Sequence, residues 1–324
     1  MSIFDQKVIK YEMKPLSSLE KVFPDETPVY RMECQMLSGL WGETVSFQVA
    51  YTGDFVMRER LDVRVVSELA EHVHVRTVEM VPVGRATNGI VDDNYLKTTS
   101  GLYPDLLKDL KDGKVIVYSR QWRSLWVDVD ITNEIPAGEY EIELQLIKEG
   151  EVVCSAKQKV TVIGTELPKL DIMHTEWMHA DCLADYYHVE VFSEEHWKLL
   201  ENYFQEYVKR DCNMMLTPLF TSPLDTAIGL ERTTCQLIDV EVKDGEYVFG
   251  FEKLKRWINL CKKCGIEYFE MSHLFSQWGA KYAPKVVATV NGKKEKIFGW
   301  HTPAVGEYTK FLESFLPQLT AKLR

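Results

Sequence analysis

Hydrophobic residues change their spacing once along this 324-residue chain, near residue 165, and that change constrains the fold more than any single motif. Before it, VSFQVAY (45–51), LDVRVV (61–66), VHVRTVEMV (73–81), KVIVYS (114–119), LWVDVDI (125–131) and YEIELQLI (140–147) alternate apolar with polar residues. Successive side chains of a strand point to opposite faces, so period two means one buried and one solvated face, as in antiparallel sheets. IPAG (135–138) adds a Pro-then-Gly turn between the last two runs. Short strands without intervening helices predict a β-sandwich over residues 1–165. The stretch 91–113 breaks the pattern and reads as a long irregular excursion that could reach across to another domain.

After ELPKL (166–170) strands alternate with helices. LDIM (170–173), NMMLTPL (213–219) and IEYFEM (266–271) are apolar strand candidates. Ser193 can cap a helix that buries Trp197, Leu200, Phe204 and Val208. A second helix, with Leu254, Trp257, Ile258 and Cys261 on one face, stops at Gly265. A third buries Tyr308, Phe311, Leu312, Phe315 and Leu319. Strand alternating with helix means parallel βαβ units. The connections are lopsided. Helix-to-strand links are one or two residues, whereas the strand-to-helix links 174–192, 220–250 and 272–304 are long. Asp244-Gly245 and Asn291-Gly292 mark a hairpin tip in each of the last two. In a (β/α)8 barrel the loops after the strand C-termini build the active site, so long links at one end only mark a working face. The expected fold class is therefore a multidomain chain: an antiparallel β-sandwich, then residues 166–324 as the first three βα units of a TIM-type barrel. Three units cannot close a ring, which makes a fragment of a longer protein the simplest reading.

Composition narrows the function. Lys+Arg total 38 against Asp+Glu 49, a net charge of −11 with a pI near 5.3. Such a surface repels phosphate backbones, so no nucleic acid partner is expected. No Gly-rich dinucleotide or P-loop motif occurs. The N-terminus shows no apolar signal core, and no run of about 18 apolar residues exists, so the expectation is a cytoplasmic protein without a membrane partner. Seven scattered cysteines fit free thiols in a reducing compartment. Cys261 and Cys264 form CKKC at a helix C-terminus, the wrong end to stabilise a thiolate, and read as inert.

IMHTEWMHADC (172–182) is the densest cluster of functional side chains. His174, Glu176, His179 and Asp181 could ligate zinc or iron, but their spacing matches no familiar zinc signature, and neither metal nor cofactor is expected. They could also simply hydrogen-bond one another at a strand end. A carbohydrate pocket is the third reading: sugars present apolar C–H faces and hydroxyl edges, which suit an aromatic platform beside carboxylates and imidazoles. Trp177 would be the platform, with His174, Glu176 or Asp181 on hydroxyls. MSHLFSQWGAKYAP (271–284) repeats the grouping with His273, Gln277 and Trp278, and FGWHTP (298–303) adds Trp300, expected to be packing. Asp225 and Arg232 are weaker polar candidates. Asp92-Asp93 and Glu194-Glu195 read as solvated or helix-starting carboxylates, and no Ser or Cys sits in a nucleophile elbow.

Three stretches resemble the N-terminal part of the β-N-acetylgalactosaminidases of glycoside hydrolase family 123. SLWVDVDITNEIPAGEYEIELQL (124–146) resembles their sandwich signature, and LDIMHTEWMHADCLADYY (170–187) their first barrel strand and loop. MSHLFSQWGAKYAPKVVATVNGKKEKIFGWHTPAVGEYTKFLESFLPQLTAKL (271–323) resembles their third strand, loop and helix. The resemblance implies a retaining exo-glycosidase acting on terminal β-linked N-acetylgalactosamine. The substrate's acetamido oxygen would attack the anomeric carbon, and an Asp-Glu pair would orient that amide and serve as acid and base. That pair belongs on a fourth barrel strand, which this chain does not contain, so the catalytic residues are unknown. His174, Trp177, Asp181, His273, Gln277 and Trp278 match conspicuous strand-end positions and are substrate-binding candidates. A non-catalytic glycan-binding fragment and a metal-dependent hydrolase using His174, Glu176 and His179 remain as alternatives.

Overall fold

A computed structural model describes residues 10–28, 36–54, 58–169 except 88 and 90, and 171–324 except 225, 228 and 278. The chain divides into two compact units, Met1–Lys169 and Leu170–Arg324.

Among its described residues the first unit is built of strands apart from one 3-10 turn, Ala70–His72. Its strands are β1 (Lys10–Ser17), β2 (Met36–Trp41), β3 (Thr44–Asp54), β4 (Glu59–Val66), β5 (Val73–Val83), β6 (Gly101–Asp109), β7 (Lys114–Val117), β8 (Arg123–Asp130), β9 (Gly138–Lys148) and β10 (Glu151–Glu166). They form two five-stranded sheets, ordered β1-β3-β8-β5-β6 and β2-β10-β9-β4-β7. Every pairing is antiparallel except β10 with β2. The period-two pattern explains the core: Phe47, Val49 and Tyr51 of β3 meet Leu125, Val127 and Val129 of β8 and Ile142, Leu144 and Leu146 of β9, all buried. On the outer face of β3, Gln48 is also buried, donating to the carbonyls of Ser17, Ser18 and Glu20 while accepting from Ser124. The stretch 91–113 is not irregular throughout. It contains β6, which pairs with β5 inside this unit across a bulge between Val78 and Met80. Pro104 and the exposed Leu102 and Leu106 disguised it, and both features are tolerated on an edge strand.

Among its described residues the second unit carries four helices: α1 (Ala180–Tyr187), α2 (Glu194–Val208), α3 (Glu252–Cys264) and α4 (Glu307–Leu323). Ser193 caps α2, its hydroxyl accepting from the His196 N–H. Gly265 ends α3 at φ +104°, a conformation that costs glycine little. The apolar stripes bury Trp197, Leu200 and Phe204 of α2, Leu254, Trp257 and Cys261 of α3, and Tyr308, Phe311, Phe315 and Leu319 of α4 in one core. Burial pushes the Cys261 thiol up, which suits an unreactive CKKC.

Among the described residues two strands, not three, form the parallel sheet: β11 (Met214–Thr217) and β14 (Tyr268–Met271), in the register Met214↔Tyr268 to Thr217↔Met271. The expected strand LDIM is absent. Leu170 lies outside the described residues, and 171–173 are non-strand, with Ile172 and Met173 more than 60% exposed. Both expected hairpins form: β12 (Asp239–Lys243) with β13 (Glu246–Gly250), and β15 (Val286–Val290) with β16 (Lys293–Phe298). Positive φ at Asp244 and Gly245, and again at Asn291 and Gly292, matches two-residue turns of the primed kind. β12 also pairs in parallel with β15, so the hairpins merge into one four-stranded sheet, β13-β12-β15-β16.

Candidate functional site

Residues 172–178 run beside the start of β11, where the His174 carbonyl accepts from the Asn213 and Met214 N–H groups (3.0 and 3.1 Å), and two side chains supply further bonds in place of a regular strand ladder. The Asn213 amide accepts from the His174 N–H (2.8 Å) and donates to the Ile172 carbonyl (2.8 Å). The Tyr207 hydroxyl accepts from the Glu176 N–H (2.8 Å) and donates to the Met214 carbonyl (2.7 Å). Burial raises the pKa of that phenol, so it stays protonated and remains a donor at neutral pH. Chain direction then carries Trp177 toward the C-terminal ends of β11 and β14.

There the indole meets two groups. Trp177 Nε1 donates to the Glu270 carboxylate at 2.9 Å, and its ring stands edge-to-face on His273, 5.4 Å between centroids at 77°. Glu270 lies in β14 opposite Leu216, and His273 follows two residues after the strand. Met215, Phe269 and Met271 pack into the helical core, so alternation puts Glu270 on the opposite face of the pair. Beyond the strands, the Ser272 N–H donates to the Thr217 carbonyl and the Ser272 hydroxyl accepts from the Leu219 N–H, tying the two strand ends together. Trp177 remains 48% exposed, so a large part of its side chain is offered to solvent while the indole N–H is fixed.

Not every candidate joins this cluster. His174 lies at the foot of β11: its Nδ1 is 3.1 Å from the Asp211 carbonyl and its Nε2 3.9 Å from Cys212 Sγ. Asp181 is buried and committed to Arg232, which grips it from Nε (2.7 Å) and from a terminal nitrogen (3.1 Å). Arg232 also donates to the Leu224 carbonyl and to Cys182 Sγ, so this pair pins the link after β11 onto α1. Gln277 is half-buried in the turn that follows Ser276. Trp278 and Asp225 lie outside the described residues. Trp300 is half-buried against Tyr282, 6.4 Å between ring centroids. His174 and Glu176 approach only to 3.7 Å, and the described residues contain no group of three His, Cys, Asp or Glu side chains able to hold a metal ion. Glu194 starts α2 and forms a two-armed ion pair with Arg256, which holds its carboxyl below the usual range.

Three residues of the site, and a buried histidine of the same unit, carry roles that the sequence pattern did not single out. Asn213 and Tyr207 gave no signal, since their role is to replace backbone partners. Glu270 was visible as the second of two acids in the strand candidate IEYFEM, which ends just before His273. His196 is fully buried at the start of α2, its Nδ1 accepting from the Phe192 N–H (2.9 Å) and its Nε2 2.9 Å from the Ala180 carbonyl. A neutral ring protonated at Nε2 satisfies both, and burial lowers its pKa accordingly. The chain's sole Asp-Glu dipeptide, Asp25-Glu26, belongs to the sandwich unit, where both acids pair with Lys97.

Residues 177–324 match the family model described as the glycoside hydrolase 123 catalytic domain. The second unit is thus similar to the catalytic domain of glycoside hydrolase family 123. A solved family 123 glycoside hydrolase from Clostridium perfringens, described in terms of glycolipid glycan hydrolysis, is similar over 97% of this chain with a TM-score of 0.69 at 14% identity. This chain spans 56% of that protein's chain. A β-glucosidase from Listeria innocua matches 49% of this chain and 17% of its own at 10% identity and a TM-score of 0.23. A CARDB domain from Pyrococcus furiosus matches 48% of this chain and 94% of its own at 13% identity and a TM-score of 0.22. Scores that low carry no argument. No curated protein matches the chain. Among the described residues, no helix is long and apolar enough to cross a membrane.

Proposed function

We propose that this chain is part of a family 123 retaining glycosidase that removes terminal β-linked N-acetylgalactosamine, with β11, β14 and their helices as part of a (β/α)8 barrel. Trp177 is the platform on which a sugar ring stacks, Glu270 fixes the tilt of that platform, and His273 faces hydroxyls at its edge. Gln277 and Trp278 are further candidate sugar contacts, whereas His174, at the foot of β11, and Asp181 hold the surrounding chain in place. Asp181 acts through Arg232 rather than by touching sugar. The displacement is substrate-assisted: the acetamido oxygen of the bound sugar attacks C1 and the glycosidic oxygen leaves as it is protonated. The acid that protonates it would be one of an Asp-Glu pair, a role that Asp25-Glu26 does not fit because both acids are engaged with Lys97 in the sandwich unit.

One observation carries this reading. A half-exposed indole, anchored by a carboxylate and an imidazole, stands at the C-terminal ends of parallel strands in a unit similar to the family 123 catalytic domain, where barrel enzymes build their sites. Titrating the 324-residue chain with N-acetylgalactosamine should give saturable binding that Trp177→Ala weakens at least tenfold. Unchanged binding in that variant removes the platform. A second reading, glycan binding without turnover, is favoured by the 56% span and predicts the same titration with no release from an aryl β-N-acetylgalactosaminide. Extending expression through the downstream coding sequence separates the two, since only the first gains hydrolysis.

A further inference from the structure

A second binding feature lies in the same unit and shares no residue with the Trp177 cluster. A cavity of about 450 Å³ opens between Val189–Phe192, Thr233–Gln236, the start of β12, and β15 with Lys294. That volume falls within the range of small-molecule sites, about 300–1,000 Å³. Phe192 supplies an apolar wall, held in place by stacking on Trp197 at 5.2 Å. Glu190, Thr234, Thr289 and Lys294 line the cavity with side chains that have no hydrogen-bond or ion-pair partner among the described residues. By contrast, a cavity of about 600 Å³ between α2 and α3 is lined by charges engaged with one another, Glu194 with Arg256 and Glu201 with Lys263.

An aromatic ledge adjoins the cavity. Tyr186, Tyr187 and Tyr203 are 75%, 42% and 36% exposed, respectively. Tyr187 stands edge-to-face on Tyr186 at 5.0 Å and on Tyr203 at 6.3 Å, and the Tyr187 and Tyr203 hydroxyls are 3.0 Å apart. Mutual contact fixes these rings, so a ligand laid on them immobilises little additional freedom. His188 then turns the chain in a left-handed conformation, φ 56°, and Val189 begins the cavity wall. Two chain steps separate Tyr187 from Val189, so their Cα atoms lie at most about 7.6 Å apart. Thr233, another lining residue, donates to the Asp185 carboxylate and locks the wall to the end of α1.

Lining charges balance at two acids, Glu190 and Asp239, against two lysines, Lys253 and Lys294, which disfavours a strongly charged ligand. Exposed tyrosine rings beside hydroxyl, carboxylate and ammonium groups suit a neutral polyol. We propose that the tyrosine ledge and this cavity form a second cleft for a neutral oligosaccharide, its rings on Tyr186 and Tyr187 and its hydroxyls on Glu190, Thr234 and Lys294. The choice of a glycan as ligand rests on the proposed glycosidase reading, whereas the cleft rests on its own geometry.

The test uses the whole 324-residue chain carrying Trp177→Ala, with a neutral tetrasaccharide ending in β-linked N-acetylgalactosamine as probe. Calorimetric titration should still show saturable binding, with hydrogen exchange slowed over 186–192 and 287–294. Adding Tyr186→Ser and Lys294→Ala, both surface changes, should weaken that binding at least tenfold. Loss of tetrasaccharide binding in Trp177→Ala alone, or no change on adding the two surface substitutions, overturns the cleft. The platform reading fails separately, if Trp177→Ala leaves the affinity for monomeric N-acetylgalactosamine unchanged.

Discussion

Removing Arg232 should be the most damaging single change within reach of the site. Its side chain is 10% exposed and that of its partner Asp181 8%, and two short hydrogen bonds join them. Arg232→Met leaves a carboxylate in a low-dielectric pocket without its counter-charge, which costs roughly 3–5 kcal/mol in comparable buried pairs. For a unit of this size each kcal/mol lowers Tm by about 2–4 °C, so the expected fall is roughly 6–20 °C. Asp181→Leu combined with Arg232→Met removes both charges and should recover most of that loss. About 1 kcal/mol should remain for the Leu224 carbonyl that Arg232 also satisfies. Because the chain has two units, the readout should be urea-dependent hydrogen exchange over the peptide containing β11, which reports the second unit alone. A single variant that loses less than 1 kcal/mol, or a double variant as damaged as the single, refutes the argument that this pair is coupled and dry.

Glu270→Ala frees the Trp177 indole, and loss of one such hydrogen bond, roughly 0.5–1.5 kcal/mol, should weaken N-acetylgalactosamine binding about three- to tenfold. Trp177→Phe should do the same, and the double variant should be no worse than either, since both remove one interaction; additive losses would show that Glu270 acts elsewhere. His196 is held neutral with its folded pKa below the ordinary 6.5, so the unfolded chain binds the extra proton and stability falls as pH drops through and below that value. His196→Gln should be less stable at pH 8 yet lose less between pH 7 and 5, as measured by urea midpoints. Asn291→Val forces a β-branched residue to φ 48° and should cost about 1–2 kcal/mol, seen as faster exchange in β15 and β16.

Residues with a periodic or local signature were legible in the sequence. Alternation located β3 and β9, the 3.6-residue stripe and Ser193 located α2, and Asp244-Gly245 and Asn291-Gly292 located both hairpin tips. LDIM failed for a physical reason: apolarity suggests burial, but Ile172 and Met173 are exposed and their stretch is held by an asparagine amide and a tyrosine hydroxyl that leave no periodic trace. α1 was hidden because its eight residues begin inside the cluster that drew attention as a loop. At the site, Trp177 and His273 do converge across nearly a hundred residues of sequence. His174 and Trp177, only three residues apart, diverge because an extended chain advances about 10 Å over that distance. Proximity in sequence misled where distance did not.

The joint between β12 and β15 has a mechanical consequence. Two insertions, each following a different parallel strand, share backbone pairs at Glu241↔Thr289 and Val242↔Val290. Neither can swing on its own without breaking that seam, so any opening or closing of this part of the molecule must move both as a single flap. The seam also sets an order of events during synthesis: the earlier hairpin has no neighbour to lean on until some forty further residues have emerged, and its outer edge stays open to wrong partners for that interval.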